Sequence, residues 1–500
     1  MSLLIRNGKT LKGQGNALER ADVLILQDRI TEIGLNLQAP EGAKVIDATG
    51  HLILPGLINA HTHAHNNLMK GTADNWTLED LLNHGGALNC NRTLEDHYLS
   101  AALGAVEMLK SGCSATYDLF MSIPPPTIEV FEAVVRAYLD VGLRALVAPA
   151  VADIVFYETV PFFLEFLPPE LMAPVKEMKA ASTDKMLQVT EEGIRRWNGA
   201  AGGRIRVGIA PTIPGQCTDE FLKGCVRLTR EYGVGVHTHL VETKVQAIFG
   251  QRRWGKTVPA HLAEIGMLNP KFVGAHGVWL TDEDIKILAD HGANIAHNPA
   301  SNLKLGSGIA PVRELLDAGV NVGLGCDGSM SSDNQNLFEA MRFAAVIGKI
   351  RFPHEAQRWV GSRDTWKMVT KGSARVLDGA DEIGELAPGK KADLTLLREE
   401  SPYLKPLNDF LNALSYAETG GDVAMVIVDG RVILDQGRVT TIDENRLRAR
   451  AQERADQLRE RSAEAWNFAE TLTPYLAQAT QKTVSLPFPV NRYAVSLKKI

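Results

Sequence analysis

Cysteine is scarce in this chain: five occur in 500 residues, at 90, 113, 217, 225 and 326. None forms a C-x-x-C pair, which excludes a cysteine zinc site and a thioredoxin-type redox motif; nor does the spacing suggest a disulfide framework. Free thiols fit a reducing cytoplasm. A basic excess is also missing. Lys and Arg number 53 against 59 Asp and Glu, for a formal net charge of −6. Nucleic acids and anionic membranes are bound through a positive footprint, so neither is expected as a partner. No stretch reaches the roughly 18 apolar residues of a membrane span. The opening MSLLIRNGKTLKGQG has one short apolar run and then charge, unlike a signal peptide. No G-x-G-x-x-G follows the first strand-like segments, so a dinucleotide site has no support. These absences leave a cytoplasmic protein whose partner is a small molecule.

The chain is too long for one ordinary core, which stops growing near roughly 250–300 residues, so a large domain plus a smaller one is expected. Its 45% hydrophobic and 22% charged residues are those of a globular protein. Short apolar, β-favouring segments open the chain at 3–5, 23–26 and 44–46, and the same texture returns at 392–397 and 424–434. Asp429-Gly430 between two apolar runs signals a hairpin. This predicts one small β domain built from both chain ends, 1–55 and 381–440. Between them, over 56–380, short apolar runs alternate with helical stretches. Examples are RALVAPAV at 144–151, VGVHTHL at 234–240 and NVGLGCD at 321–327. Such alternation predicts a (β/α)8 barrel, with a doubly wound open sheet as the rival. Residues 441–500 form the remainder, a charged helix around 443–471 and an arm that packs on the body or on another subunit.

Histidines near strand ends are the chemical signal. His61 and His63 follow LILPGLINA, which reads as a strand, so the two imidazoles point to the same side. A second strand-like run ends in His237-Thr238-His239, with Glu242 three residues beyond His239. His276 follows KFVGA, and Asp327 ends NVGLGC. In a barrel these strand ends converge on one face. Imidazoles with one carboxylate suit zinc first, with iron, cobalt or nickel as alternatives. An open coordination position on such an ion activates water for hydrolysis.

Several stretches together resemble the amidohydrolase superfamily, more narrowly its ATZ/TRZ branch of cytosine-deaminase-like and S-adenosylhomocysteine-deaminase-like enzymes. They are PGLINAHTH (55–63), HLVET (239–243), GAHGVWLT (274–281), AHNPASNLKLGSGIAPVRELLDAGVNVGLGCDG (296–328) and GELAPGKKADLTLL (384–397). The resemblance implies an α/β fold, a distorted (β/α)8 TIM barrel with a small β-sandwich made from both chain ends. It implies one divalent metal held by His61, His63, His239 and Asp327. Glu242 would shuttle a proton, and His276 would hydrogen-bond the attacking oxygen or the tetrahedral centre. The strand at 145–151 has no Lys to carboxylate, which argues for a single metal. The resemblance also implies an aminohydrolase acting on an amino-substituted purine, pterin, pyrimidine or triazine, in a homo-oligomer. Hydrolysis of an amide, urea or carbamate, removal of chloride or alkylamine from a triazine, and a non-catalytic scaffold are the alternatives. Polynucleotide deaminases use H-x-E with P-C-x-x-C, and both are absent.

One departure stands out. Where many deaminases of the branch carry P-H-x-P, this chain has Pro211-Thr212-Ile213-Pro214. Thr212 in place of His counts against adenosine-type substrates. Trp76, Thr212, Gln216 and Asn302 are the candidate substrate contacts; Trp76 stands over the substrate ring or in the core, and Asn302 meets the substrate or shapes its loop. His65 reads as a loop residue, His237 and His297 as neighbours of the ligands. The aromatic-rich stretch 154–184 reads as a helical insertion with its own core or as a lid with an apolar wall.

Overall fold

The computed structural model describes residues 2–11 and 17–494. The stretch 12–16 and the final six residues of the expected arm lie outside the described residues. Eight short parallel strands surround the centre of the fold. They are β1 (Leu57–His63), β2 (Cys113–Phe120), β3 (Arg144–Val151), β4 (Ile205–Val207, resuming at Ala210–Pro211), β5 (Val236–Leu240), β6 (Phe272–His276), β7 (Asn294–His297) and β8 (Asn321–Leu324, resuming at Asp327–Gly328). Neighbours in this order are joined. β4 meets β5 through backbone bonds from His237 to Ile209 and from His239 to Thr212, each 2.9 Å. The ring closes where Asp327 and Gly328 pair with Thr62 and His63. β1, β2, β3, β5, β6 and β7 are buried along their whole length, as expected of barrel strands covered on both faces. Small side chains such as Ala60, Ala115, Ala148 and Ala296 share the floor with Tyr117 and Ile58.

Both chain ends meet in one sheet. Leu394–Arg398 pairs antiparallel with His51–Pro55, joining the early strands Ser2–Leu11, Leu18–Leu26 and Arg29–Gly34 to the late strands Val423–Val428 and Arg431–Asp435. The fold is thus a distorted (β/α)8 barrel carrying a small β-sandwich from its two ends. Asp429-Gly430 forms the expected hairpin, with φ of 50° and 71° between paired Val428 and Arg431, the left-handed pair of a type I′ turn. Arg144 at the base of β3 locks this sheet to the barrel by a two-pronged grip on Asp393 and a contact with Asp429.

Four helices matter for the site: α1 (Leu78–Asn89), α2 (Leu94–Lys110), α3 (Glu444–Arg461) and α4 (Ala463–Val484). Thr77 and Thr93 open α1 and α2 with capping boxes. The charged α3 lies on α2 through Arg454–Asp96 and Arg450–Glu95 pairs. α4 turns back along α1, where Asn83 Nδ2 donates to the Ala469 carbonyl at 2.9 Å. The described part of the arm packs on the body: Ile309 N–H donates to Arg492 O at 2.8 Å, and Tyr493 stands edge-on to Trp279. The insertion has its own core of Tyr157, Val160, Phe163, Leu167 and Val175, shared with Leu472 and Leu476 of α4. Among the described residues no helix is long and apolar enough to cross a membrane.

Candidate metal centre

Strand ends deliver the site. His61 and His63, two apart on β1, both point into the barrel, and His239 arrives from β5 and Asp327 from β8. One ligand atom from each lies within 4.8 Å of all the others, and all four residues are buried. Asp327 Oδ1 is 3.3 Å from His61 Nε2 and 3.2 Å from His63 Nε2. Its other oxygen accepts from Ser331 Oγ at 2.8 Å. Asp327 and His276 hold φ of 61° and 69°, a left-handed conformation uncommon for residues that carry a side chain.

The surroundings fix the tautomers. His63 Nδ1–H donates to Leu119 O at 2.7 Å, and His239 Nδ1–H donates to Thr212 O. Each ring therefore turns an Nε2 lone pair inward, the two standing 3.1 Å apart. Two facing lone pairs repel unless something positive lies between them. Both nitrogens of His61 are buried without a hydrogen-bond partner, as is Asp327 Oδ1. Burial pushes His61 down to about 4 and His239 well below the ordinary imidazole value. Burial also acts to raise Asp327, but the His61 and His63 imidazoles outweigh it and hold the carboxyl well below the usual range. Burial acts to lower His63 too, but the Asp327 carboxylate beside it outweighs that and holds the ring above its ordinary value; a divalent cation would take the place of that proton among three imidazoles and a carboxylate. The residues present fit one metal ion.

Glu242 and His276 flank this group. Glu242 Oε2 is 3.5 Å from His276 Nε2. Burial, then the charges of Asp327 and Glu79, push the Glu242 carboxyl well above its ordinary value. His276 Nδ1 meets Asn302 Oδ1 at 2.8 Å, so the ring proton sits there and the Nε2 lone pair faces inward without a partner. The whole group opens into a cavity of about 530 Å³, whose wall includes His63, His239, Glu242, His276 and Asp327.

The expected substrate contacts divide. Thr212 and Gln216 lie on the cavity wall. Asn302 does not: it is buried, and its Oδ1 accepts from His276 Nδ1–H and orients the ring. Trp76 is also displaced from a place over the substrate ring. It stacks on His84 with ring centroids 4.7 Å apart, and Trp466 of α4 lies against the same imidazole at 4.8 Å and against Trp76 at 6.0 Å. The loop after β1 turns its indole outward to meet α4, a contact invisible at this sequence separation. His65 is a wall residue, held by Met121 N–H at 3.0 Å, rather than a loose loop histidine. His237 is fully buried 4.8 Å from the His61 ring. The insertion has the expected core of its own, and its Phe156, Tyr157 and Met178 also line the cavity.

Fold and site together define a metal-dependent hydrolase of the (β/α)8 class. The profile of the amidohydrolase family matches residues 52–433, and the chain belongs to that family. The 5-methylthioadenosine/S-adenosylhomocysteine deaminase of Caldanaerobacter subterraneus subsp. tengcongensis is 35% identical over 460 residues, 92% of this chain and 99% of the relative. The 5'-deoxyadenosine deaminase of Methanosarcina mazei is 33% identical over 459 residues, 91% and 98% of the two chains. Among solved structures, the zinc complex of atrazine chlorohydrolase TrzN from Arthrobacter aurescens TC1 superposes with a TM-score of 0.82. It is 26% identical and covers 91% of this chain and 100% of its own.

Proposed function

We propose that this protein is an aminohydrolase that replaces the exocyclic amino group of an N-heterocycle, purine first, with oxygen and releases ammonia. The observation that carries it is the convergence of His61, His63, His239 and Asp327 beside a buried Glu242–His276 pair on one cavity. The relatives above, named as adenosine-type deaminases, support the purine. They run against the expectation drawn from Thr212, whose backbone carbonyl here serves to orient His239. Zinc is the proposed metal, supported by the nitrogen-rich donor set and by the zinc-bound structural neighbour. Five free cysteines support a reducing cytoplasm; a homo-oligomer is proposed on family analogy alone.

A divalent cation held by the four ligands would supply Lewis acidity toward water. The chain's own groups would move the protons. Asp327 would accept the proton of the attacking water. Glu242, kept protonated by its burial, would deliver one to the ring nitrogen beside the reacting carbon. The inward Nε2 of His276 would accept a hydrogen bond from the incoming water and hold it in line. The proton on Asp327 would then pass to the amino group, which leaves as ammonia while the carbon–oxygen double bond forms, and the remaining hydroxyl proton would return to Glu242. General acid–base help of this kind contributes about 10²–10⁴-fold.

Chloride displacement from a triazine is the second reading, favoured by the likeness to atrazine chlorohydrolase TrzN. Incubation of the zinc-loaded protein with amino-purines, pterins, pyrimidines and chlorotriazines separates the two. Ammonia release supports the first reading; chloride without ammonia overturns it.

A further inference from the structure

We infer that, given the aminohydrolase reading above, the site selects heterocycles bearing an uncharged apolar substituent and rejects those bearing a zwitterionic amino-acid tail. The cavity of about 530 Å³ is lined by two kinds of side chain. Its charged and imidazole groups crowd around the proposed metal position. The rest of the wall is largely apolar, with Leu81 and Leu82 of α1, Phe156 and Met178 of the insertion and Phe468 of α4. Apart from the groups at the metal end, Lys179 is the one charged side chain among the lining residues, and it is exposed.

This apolar wall is a built surface. Three segments distant in sequence supply it: α1, the insertion and α4. Asn83 of α1 ties all three together. Its Oδ1 accepts from Tyr157 Oη of the insertion at 2.7 Å, and its Nδ2 donates to Ala469 O of α4, next to Phe468. Apolar surface set in this way rewards a substituent that leaves water with it, and methionines adapt to its shape. The unpartnered Oδ1 atoms of Asn66 and Asn89 on the wall would accept from an α-ammonium, but an α-carboxylate would be desolvated there with no buried cation on the wall to pair with, which is costly. The exposed Lys179 would offer the carboxylate only a screened attraction and would repel the ammonium.

The test compares kcat/KM for ammonia release from 5′-methylthioadenosine, its 5′-butylthio homologue and S-adenosylhomocysteine, which share base and sugar. The inference expects the butylthio compound to gain up to about fourfold per added methylene. It expects S-adenosylhomocysteine to fall about a hundredfold or more below the methylthio compound. Phe468→Ala should shrink the butylthio advantage through KM. Met178→Ala, at a half-buried position outside any helix, is the parallel variant should Phe468→Ala fail to fold. Equal turnover of S-adenosylhomocysteine and 5′-methylthioadenosine by the wild type overturns the inference and leaves the aminohydrolase reading standing. Absence of ammonia from all three compounds overturns both.

Discussion

Asn302→Ala isolates the residue that orients His276. The residue is 2% exposed, and among the described residues its Oδ1 is the one hydrogen-bond partner of the imidazole, at 2.8 Å from Nδ1. Removing it leaves a buried N–H unpaired and frees the ring to exchange tautomers, so that Nε2 no longer presents its lone pair inward. Loss of an orienting partner of this kind typically costs 10–100-fold, about 1.4–2.7 kcal/mol. Because Asn302 touches neither the four ligands nor the cavity wall, the loss should fall on kcat. KM and metal content should stay near wild-type values. Asn302→Asp keeps an acceptor at the same place and should restore much of the rate. Steady-state ammonia release on the best substrate, with metal content measured on the same samples, reads all of this. Full wild-type kcat in Asn302→Ala would refute the orienting role, and a rise in KM with unchanged kcat would return Asn302 to the substrate.

Three further outcomes follow from the same geometry. Glu242→Gln keeps the shape but removes the transferable proton, so turnover should fall by about 10²–10⁴-fold while metal stays near one ion per chain; a fully active variant would remove Glu242 from proton transfer. Asp96, buried at the start of α2, receives Arg454 Nε at 2.7 Å and Arg461 at 2.8 Å, so Asp96→Asn should destabilise by about 3 kcal/mol. Burial acts to raise its carboxyl, but Arg454 and the Thr93 backbone outweigh it and hold it below its ordinary 3.8. Its contribution is therefore present above that pH and is lost as pH falls through the lowered value, so the gap in thermal midpoint should narrow in acid; a gap constant with pH would contradict the ion pairing. In the hairpin, a Cβ at Gly430 would lie 2.3 Å from the Gln27 carbonyl at a φ of 71°, and Gly430→Ala should lower the thermal midpoint by an amount equivalent to about 1–3 kcal/mol.

Local patterns account for what the sequence made legible. His61 and His63 could be paired because a strand repeats every two residues, and the H-x-x-E step from His239 to Glu242 marked a strand end and the turn after it. The barrel followed from alternation, and the Asp429-Gly430 hairpin from its dipeptide. Features that depend on distant packing stayed hidden. Trp76 looked like a substrate contact until α4 brought Trp466 against His84. Asn83 carried no signal, since its partners Tyr157 and Ala469 lie 74 and 386 residues away. The carbonyls of Leu119 and Thr212 orient two ligands through backbone atoms, for which any residue type would serve. Asn302 was singled out for a place near the substrate, and its bond to His276 stayed hidden because sequence does not say which way a buried amide turns.

The central claim is that four buried side chains grip one cation. Anomalous diffraction at the zinc edge from crystals of the zinc-loaded protein addresses it most directly. The account predicts a single peak about 2.0–2.2 Å from the Nε2 atoms of His61, His63 and His239 and from an Asp327 oxygen. A peak bound elsewhere, or none among these residues, would contradict it.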